Sequence, residues 1–385
     1  MTTKTETKSA TLNTKELREA LQKVNLIPTH KPLPITSNVL VDFSNGKAVL
    51  TTTNMEMVAS VEVSSTNTGS FSILLPRKTT EKFLTGGNGK VSIEYDEPHN
   101  QIILSRDDVG TLNFVANRVS DFPPNLPNPD NLAWHSIDGK WFCSMLRIVS
   151  TACATEDSRP ILTGVACNNG SIAAADGFRL KVLQDNRLDF GLGDKQAIIP
   201  LDTIILTDKL FRKSETIEVA FEYKETPSFG DNLIYPNFVH FKSSNILMSS
   251  QLIIGNYPKW EQLIPDKYNC KASFSAPVLA QRLGLMDDMV LYSGVVRYVF
   301  TTRKDGVQEC SLSGGAEDEG QYHLTCPVKF EGDEAKIAFA HKYMADAIKP
   351  FSMCTFEVTS SSSPGKLTGD IEGLTVVIMP MFVQW

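Results

Sequence analysis

The chain is built from short runs in which apolar and polar positions alternate, and one arrangement of these runs comes back three times. In VLVDFSNGKAVLTTTNMEMVASVEV (39–63) two runs with the period of a half-buried strand meet at Asn45-Gly46, a pair that accepts the positive φ of a tight hairpin. LTGVACNNGSIAAADGFRLKVL (162–183) repeats the arrangement around Asn169-Gly170, and GVVRYVFTTRKDGVQECSLSGG (294–315) around Asp305-Gly306. After each hairpin a short apolar strand turns helical: SILLPRKTTEKFL (72–84), AIIPLDTIILTDKLF (197–211) and IAFAHKYMADAIK (337–349). Pro76 and Pro200 stand where the first two of these helices should begin, a place where a missing N–H is harmless. The third helix has no such proline. Both the Asn-Gly pairs and the prolines are 124 positions apart between the first two copies.

Each copy also opens on a helical period. Leu17, Leu21 and Val24 share one face in the first, with Lys15, Arg18 and Gln22 on the other. Phe142, Met145 and Val149 do so in the second against Lys140, Ser144 and Arg147, and Leu279, Leu283 and Met286 in the third, with Arg282 off the stripe. Two helices and several hairpins per copy predict an α+β protein of three like domains, near 11–128, 133–258 and 266–385. The joins FPPNLPNP and YPKWEQLIP are proline-rich, as short stiff linkers should be. Residues 1–10, rich in Thr, Lys and Ser, are expected to be a disordered tail.

Composition fits this outline. A length of 385 residues implies two or three cores, and 42% hydrophobic with 21% charged residues is ordinary for a globular protein. No run is long and apolar enough for a membrane helix, and the N-terminal stretch lacks the apolar centre of a signal peptide, so a cytoplasmic protein with no membrane partner is expected. Seven cysteines without any C-x-x-C pair read as reduced, buried side chains.

Charge changes the picture. The chain carries a formal net charge of −7, yet the six expected helices hold 14 Lys or Arg against 6 Asp or Glu, which leaves −15 on everything else. Solvated helix faces are the plain explanation. The basic positions, however, fall opposite the apolar stripe in three copies, and a fold that turns these helices to one side would line it with positive charge. Such a lining holds a phosphate backbone without reading bases. Arg18, Lys78, Lys82, Arg147 and Lys209 are the candidates on this ground, with Arg212, Lys213, Arg282, Lys342 and Lys349.

Catalytic chemistry is missing. The six histidines form no H-E-x-x-H and no pair at ligand spacing, so no metal or cofactor is expected. TGGNGKV (85–91) lacks the first glycine of a phosphate loop and reads as a helix C-cap and turn. GGAEDEG (314–320) is an acidic loop without the ordered ligand series of a calcium site. An enzyme would have to use Glu156, Asp157 and Asp176 near Arg159 and Arg179, and nothing in the sequence supplies its nucleophile.

Six segments, KPLPITSNVL (31–40), TTNMEM (52–57), EDSRPILTGV (156–165), AADGFRLKV (174–182), NYPKWEQLIP (256–265) and VIMPM (377–381), occur in order and together resemble the bacterial DNA polymerase III β subunit, the sliding-clamp family. The resemblance implies three repeated clamp domains, each with two helices on antiparallel sheets, and a head-to-tail homodimer closed into a ring around double-stranded DNA, without sequence preference. It implies a non-enzymatic role in DNA replication: tethering the replicative polymerase, being opened by a clamp loader, and docking other polymerases and repair proteins through short peptides, in the nucleoid-associated cytoplasm. A clamp-fold adaptor that binds peptides without encircling DNA is the alternative.

The family match also places the sites. The peptide groove would comprise Leu162, Gly177, Phe178, Arg179, Leu180 and Pro258, together with Leu263, Val377, Ile378, Met379, Pro380 and Met381. His30, Lys31 and Arg159 would approach DNA, and Leu112 and Phe114 would meet Leu285 and Met286 of the second chain. Phe178 stands where the family often has His, which should make the groove more apolar. FVQW follows Met381, where family members usually stop, and Phe382 and Trp385 are expected to fold over the groove.

Overall fold

A computed structural model describes residues 8–127, 129–156, 158–226, 233–287, 294–316 and 320–385. Six helices stand out among them, two per sequence copy: α1 (Thr14–Val24), α2 (Arg77–Leu84), α3 (Gly139–Ser150), α4 (Leu201–Phe211), α5 (Ala276–Gly284) and α6 (His341–Ile348). α1 forms where the period foretells. Asn13 caps it by accepting from the Lys15 and Glu16 N–H groups, and Leu17, Leu21 and Val24 are fully buried. No helix among the described residues is long and apolar enough to cross a membrane.

The hairpins follow their turn residues. Asn45 and Gly46 adopt φ of 48° and 75°, Gly170 71° and Gly306 83°. A third strand follows the first two in each copy, and the turn leading to it is built alike in copies one and two. The Asn54 side chain accepts from Glu56 and Met57 N–H, and Asp176 accepts from Phe178 and Arg179 N–H. Pro76 and Pro200 end the strands Phe71–Pro76 and Ala197–Pro200 instead of occupying the first helical position, one residue earlier than the sequence suggests.

Two expectations need correction. Residues 8–10, assigned to a disordered tail, belong to strand Lys8–Asn13, which pairs along its length with Lys90–Asp96. The acidic loop is shorter than 314–320, because Gly314–Ala316 end one strand and Gly320 begins the next; residues 317–319 lie outside the described set.

The chain divides into two compact units, residues 1–143 with 202–252 and residues 144–201 with 253–385. Both cross the copy boundaries read from sequence. The first unit holds a five-stranded antiparallel sheet running from Thr66–Asn67 to the edge strand Gly110–Val115, and an eight-stranded sheet in which Ile246–Gln251 of the second copy pairs with Met57–Ser64 of the first. The second unit holds a nine-stranded sheet, in which Arg179–Gln184 pairs with Leu374–Ile378, and a four-stranded sheet with edges Gly320–Pro327 and Ala335–Ala340. Sheets shared by successive copies explain why contact, not sequence repetition, draws these unit boundaries.

Candidate peptide groove and phosphate-facing helices

The groove residues assemble in the second unit. Strand Leu374–Ile378 sits between Arg179–Gln184 and Gly365–Gly369, with Leu180 directly opposite Val377. Its three consecutive residues Val376, Val377 and Ile378 are all buried, as expected of an interior strand and not of one with a wet face. Leu162, Leu180 and Val377 join a single apolar cluster with Tyr257 and Trp260. Tyr257 is fixed there by accepting the Ala175 N–H (2.8 Å) and donating its own N–H to Gln196 (3.0 Å).

The rim is open. Phe178, Leu263, Met379 and Met381 are 58, 51, 44 and 39% exposed, large apolar side chains left open to solvent. Met379 N–H donates to Phe178 O (2.8 Å), tying the C-terminal run to the turn after Asp176. Gly177 sits in that turn with φ +92°, and Pro258 is exposed beside the buried Tyr257. Ile378 is wholly buried, so it supports the groove from below and offers no surface of its own.

Next to this floor lies a cavity of about 750 Å³ lined by Cys153, Glu156, Arg159, Asp176, Phe178 and Tyr343 among others. The Phe178 ring stacks on Tyr343 at 6.2 Å, and the Arg179 guanidinium lies over the same ring at 4.8 Å. Arg179 donates to Asp176 (3.0 Å), to Asp346 (2.7 Å) and to Thr151 O. Lys181, 1% exposed, reaches the same Asp346 at 2.7 Å. Burial pushes the Cys153 thiol up to about 12, so it is no nucleophile. Asp176 is committed to its turn and to Arg179, so it is not free to act as an acid or base; Asp157 lies outside the described residues.

The C-terminal extension departs from expectation. Phe382 is 91% exposed, and Trp385 lies over Lys336 at 5.2 Å, while Met381 N–H donates to Ala338 O (2.8 Å). The run therefore follows the outer edge of strand Ala335–Ala340 instead of folding over the groove, because backbone groups at a sheet edge are the stronger attraction.

The proposed phosphate contacts divide by unit. In the first, Lys78, Lys82, Lys209, Arg212 and Lys213 are exposed on α2 and the end of α4, and Arg18 is half-buried on α1. The loop with His30 and exposed Lys31 is anchored by Arg77, whose buried guanidinium donates to Ile27 O, and by the Thr36 hydroxyl, which accepts the His30 N–H. In the second unit Arg147, Lys342 and Lys349 are exposed. Arg282 is bound to Thr325 O (3.1 Å) and braces α5 against an edge strand. Arg159 and Lys342 line the 750 Å³ cavity, on the groove side of their unit.

Of the dimer candidates, Leu112 and Phe114 are half-buried on the edge strand Gly110–Val115, and Leu285 is 53% exposed. Met286 is corrected: at 0% exposure it belongs to its own chain's core, as its place on the apolar stripe with Leu279 and Leu283 requires. Sequence reasoning passed over the second open edge, Gly320–Pro327, because Glu317 to Glu319 drew attention to the loop before it. It also passed over Tyr257 and Trp260, whose bulk within NYPKWEQLIP was the available signal, and over Asp346 and Tyr343, for which there was none.

An antiparallel α+β architecture with an apolar groove, helices carrying unpaired cations and, among the described residues, no assembled catalytic group is the kind expected of a clamp-type binding protein. Comparison with known proteins agrees. Residues 9–127 match the N-terminal domain and residues 136–259 the central domain of the DNA polymerase III beta subunit, together more than half of the chain. The chain belongs to this family, the β sliding clamps, which are non-enzymatic processivity factors of DNA replication. It is 24% identical to the beta sliding clamp of Chlamydia pneumoniae over 95% of this chain and 96% of the relative, and 25% identical to that of Staphylococcus aureus over 91 and 92%. The solved Bacillus subtilis sliding clamp superposes with a TM-score of 0.83 at 19% identity, over 98% of this chain and all of that one. The Pseudomonas aeruginosa beta subunit does so with 0.83 at 18%, over 97 and 100%.

Proposed function

We propose that two copies of this chain close head to tail around duplex DNA and tether a replicative polymerase through a peptide seated on the Leu162–Leu180–Val377 floor. The observation that carries this is the pair of open sheet edges: Gly110–Val115 on a five-stranded sheet and Gly320–Pro327 on a four-stranded one. Joined between chains, they make an intermolecular nine-stranded sheet, and two such heterologous, head-to-tail contacts close a dimer. The three domains are those read from sequence, 11–128, 133–258 and 266–385, the first now taken back to Lys8. A ring holds DNA by topology, so modest phosphate affinity and a net charge of −7 suffice. Tethering raises the polymerase's effective concentration at the primer end. Its peptide is apolar and aromatic, since flexible Met379 and Met381 over an aliphatic floor accept such side chains with little strain. A clamp loader and repair proteins use the same groove in turn.

Retention on a nicked circular plasmid tests this. The protein is loaded with a bacterial clamp loader and ATP, the plasmid is cut, and both forms are passed through a sizing column. Loss of bound protein only after linearisation is expected. Equal retention on both forms would rule out a closed ring.

A further inference from the structure

We propose that Asp346, on α6, is a positioning residue of the peptide groove: acting through Arg179, it holds the turn that presents Phe178 at the rim. This rests on the groove reading above and extends it to a residue outside the six segments that carry the family match, on a helix of the third sequence copy.

Phe178 is held loosely by its own strand. It is 58% exposed and follows Gly177, whose φ of +92° lies where only glycine goes without strain. Its N–H donates to Asp176 (2.9 Å), and its carbonyl accepts from the Met379 N–H (2.8 Å). These bonds fix the backbone and leave the ring, which lies on Tyr343 of α6 with 6.2 Å between centroids and 20° between planes.

What sets the turn against α6 is the next residue. Arg179 has a carboxylate on two sides: Nε donates to Asp176 Oδ2 at 3.0 Å, inside the turn, and Nη1 to Asp346 Oδ2 at 2.7 Å, on the helix. A planar guanidinium bonded at both sides is a strut of fixed length and angle. Asp346 is itself seated, since the Thr151 hydroxyl donates to it at 3.1 Å and the buried Lys181 ammonium lies at 2.7 Å. Two cations and two carboxylates thus balance within one cluster. Such a cluster contributes little net stability compared with apolar side chains of the same volume. Apolar packing would join α6 to the sheet but leave the turn free to slide along it. Directional bonds fix where Phe178 meets Tyr343, and a side chain that receives a ligand needs its rotamer held in this way.

The test compares two full-length variants, Lys181→Met and the double variant Lys181→Met with Asp346→Ala. Neither leaves a buried lysine without its carboxylate, and they differ only in the strut from Arg179 to α6. Hydrogen exchange of the 176–179 amides is followed by mass spectrometry. Affinity for a fluorescein-labelled octapeptide ending in Leu-Phe is read by anisotropy, alone and with Phe178→Ala added to each variant. Exchange about tenfold or more faster in the double variant is expected, with peptide binding about tenfold weaker. With Phe178→Ala present, the difference in affinity should vanish, because Asp346 acts on the peptide only through that ring. Equal exchange in the two variants overturns the inference. Faster exchange with unchanged affinity, or an affinity loss that persists in full without the Phe178 ring, overturns the positioning role and leaves Asp346 a structural group only. Failure of the wild type to bind the peptide overturns the groove reading instead; the exchange comparison needs no peptide and still decides whether Asp346 holds the turn.

Discussion

His240 lies wholly inside the eight-stranded sheet, with Ser249 at 2.8 Å on one ring nitrogen and Glu222 facing the other at 3.3 Å. Burial pushes its pKa down to about 4 and raises that of Glu222, so the pair stays uncharged on the histidine at neutral pH. The folded value lies below the ordinary value near 6.5, and an unfolded chain takes up a proton that the folded chain refuses. Stability is therefore complete above pH 6.5 and falls as pH drops from 6.5 towards 4, by up to about 3 kcal/mol. Urea unfolding of the wild type at pH 7 and 5 should show this loss, and His240→Gln should flatten it; an equal pH slope in both would assign the effect elsewhere. None of this was legible beforehand, since neither His240 nor Glu222 stands in a motif. Arg179 was legible, being carried by AADGFRLKV, but its neighbour Lys181 was not: the Asp346 that makes its burial tolerable is supplied by α6, 165 positions further on.

Elements were read most surely where one residue's backbone freedom decides. The turn at Asn45-Gly46 and the glycines at 170 and 306 held because positive φ is a local demand. The side-chain turns at Asn54 and Asp176 repeat the same geometry with different residues at the strained position, Met55 at φ +80° and Gly177 at φ +92°. A methionine pays there for a conformation natural to glycine. Met55→Gly should raise the melting temperature slightly, a gain of under about 1 kcal/mol once glycine's added unfolded-state entropy is counted. Gly177→Ala should lower it by about 1–2 kcal/mol, because its methyl would also stand 3.3 Å from Arg159 Nη1. Thermal unfolding by circular dichroism checks both, and a stabilising Gly177→Ala would refute the strain argument. Helix starts slipped by one residue, since Pro76 and Pro200 satisfy a strand end as well as a helix start. Strand Gly320–Pro327 escaped because pairing with Gln308–Ala316 gives it order that its own mixed pattern does not announce.

For the whole molecule, the repeat, the α+β class and the family were all visible in the sequence, whereas the sharing of sheets between copies was not: no local pattern says that Ile246–Gln251 will find Met57–Ser64 nearly two hundred residues earlier. The closed dimer is the prediction that belongs here. Sedimentation equilibrium of the wild type at micromolar concentration should give twice 42.5 kDa. Leu112→Ala with Phe114→Ala should shift it towards the single-chain mass while leaving the far-ultraviolet spectrum intact. A wild type that sediments as one chain would remove the ring from consideration.

The run along Ala335–Ala340 bears on this assembly. With Met381 bonded to Ala338, the four-stranded sheet is sealed on that side, and the two-residue strand Thr66–Asn67 leaves the far side of the five-stranded sheet too short to recruit a neighbour. On the head-to-tail pairing proposed above, these two sheets then offer one open edge each, a valence of two. Particles of valence two make rings or threads but no networks, so a surplus of such a protein would remain small closed or linear objects and not become a gel.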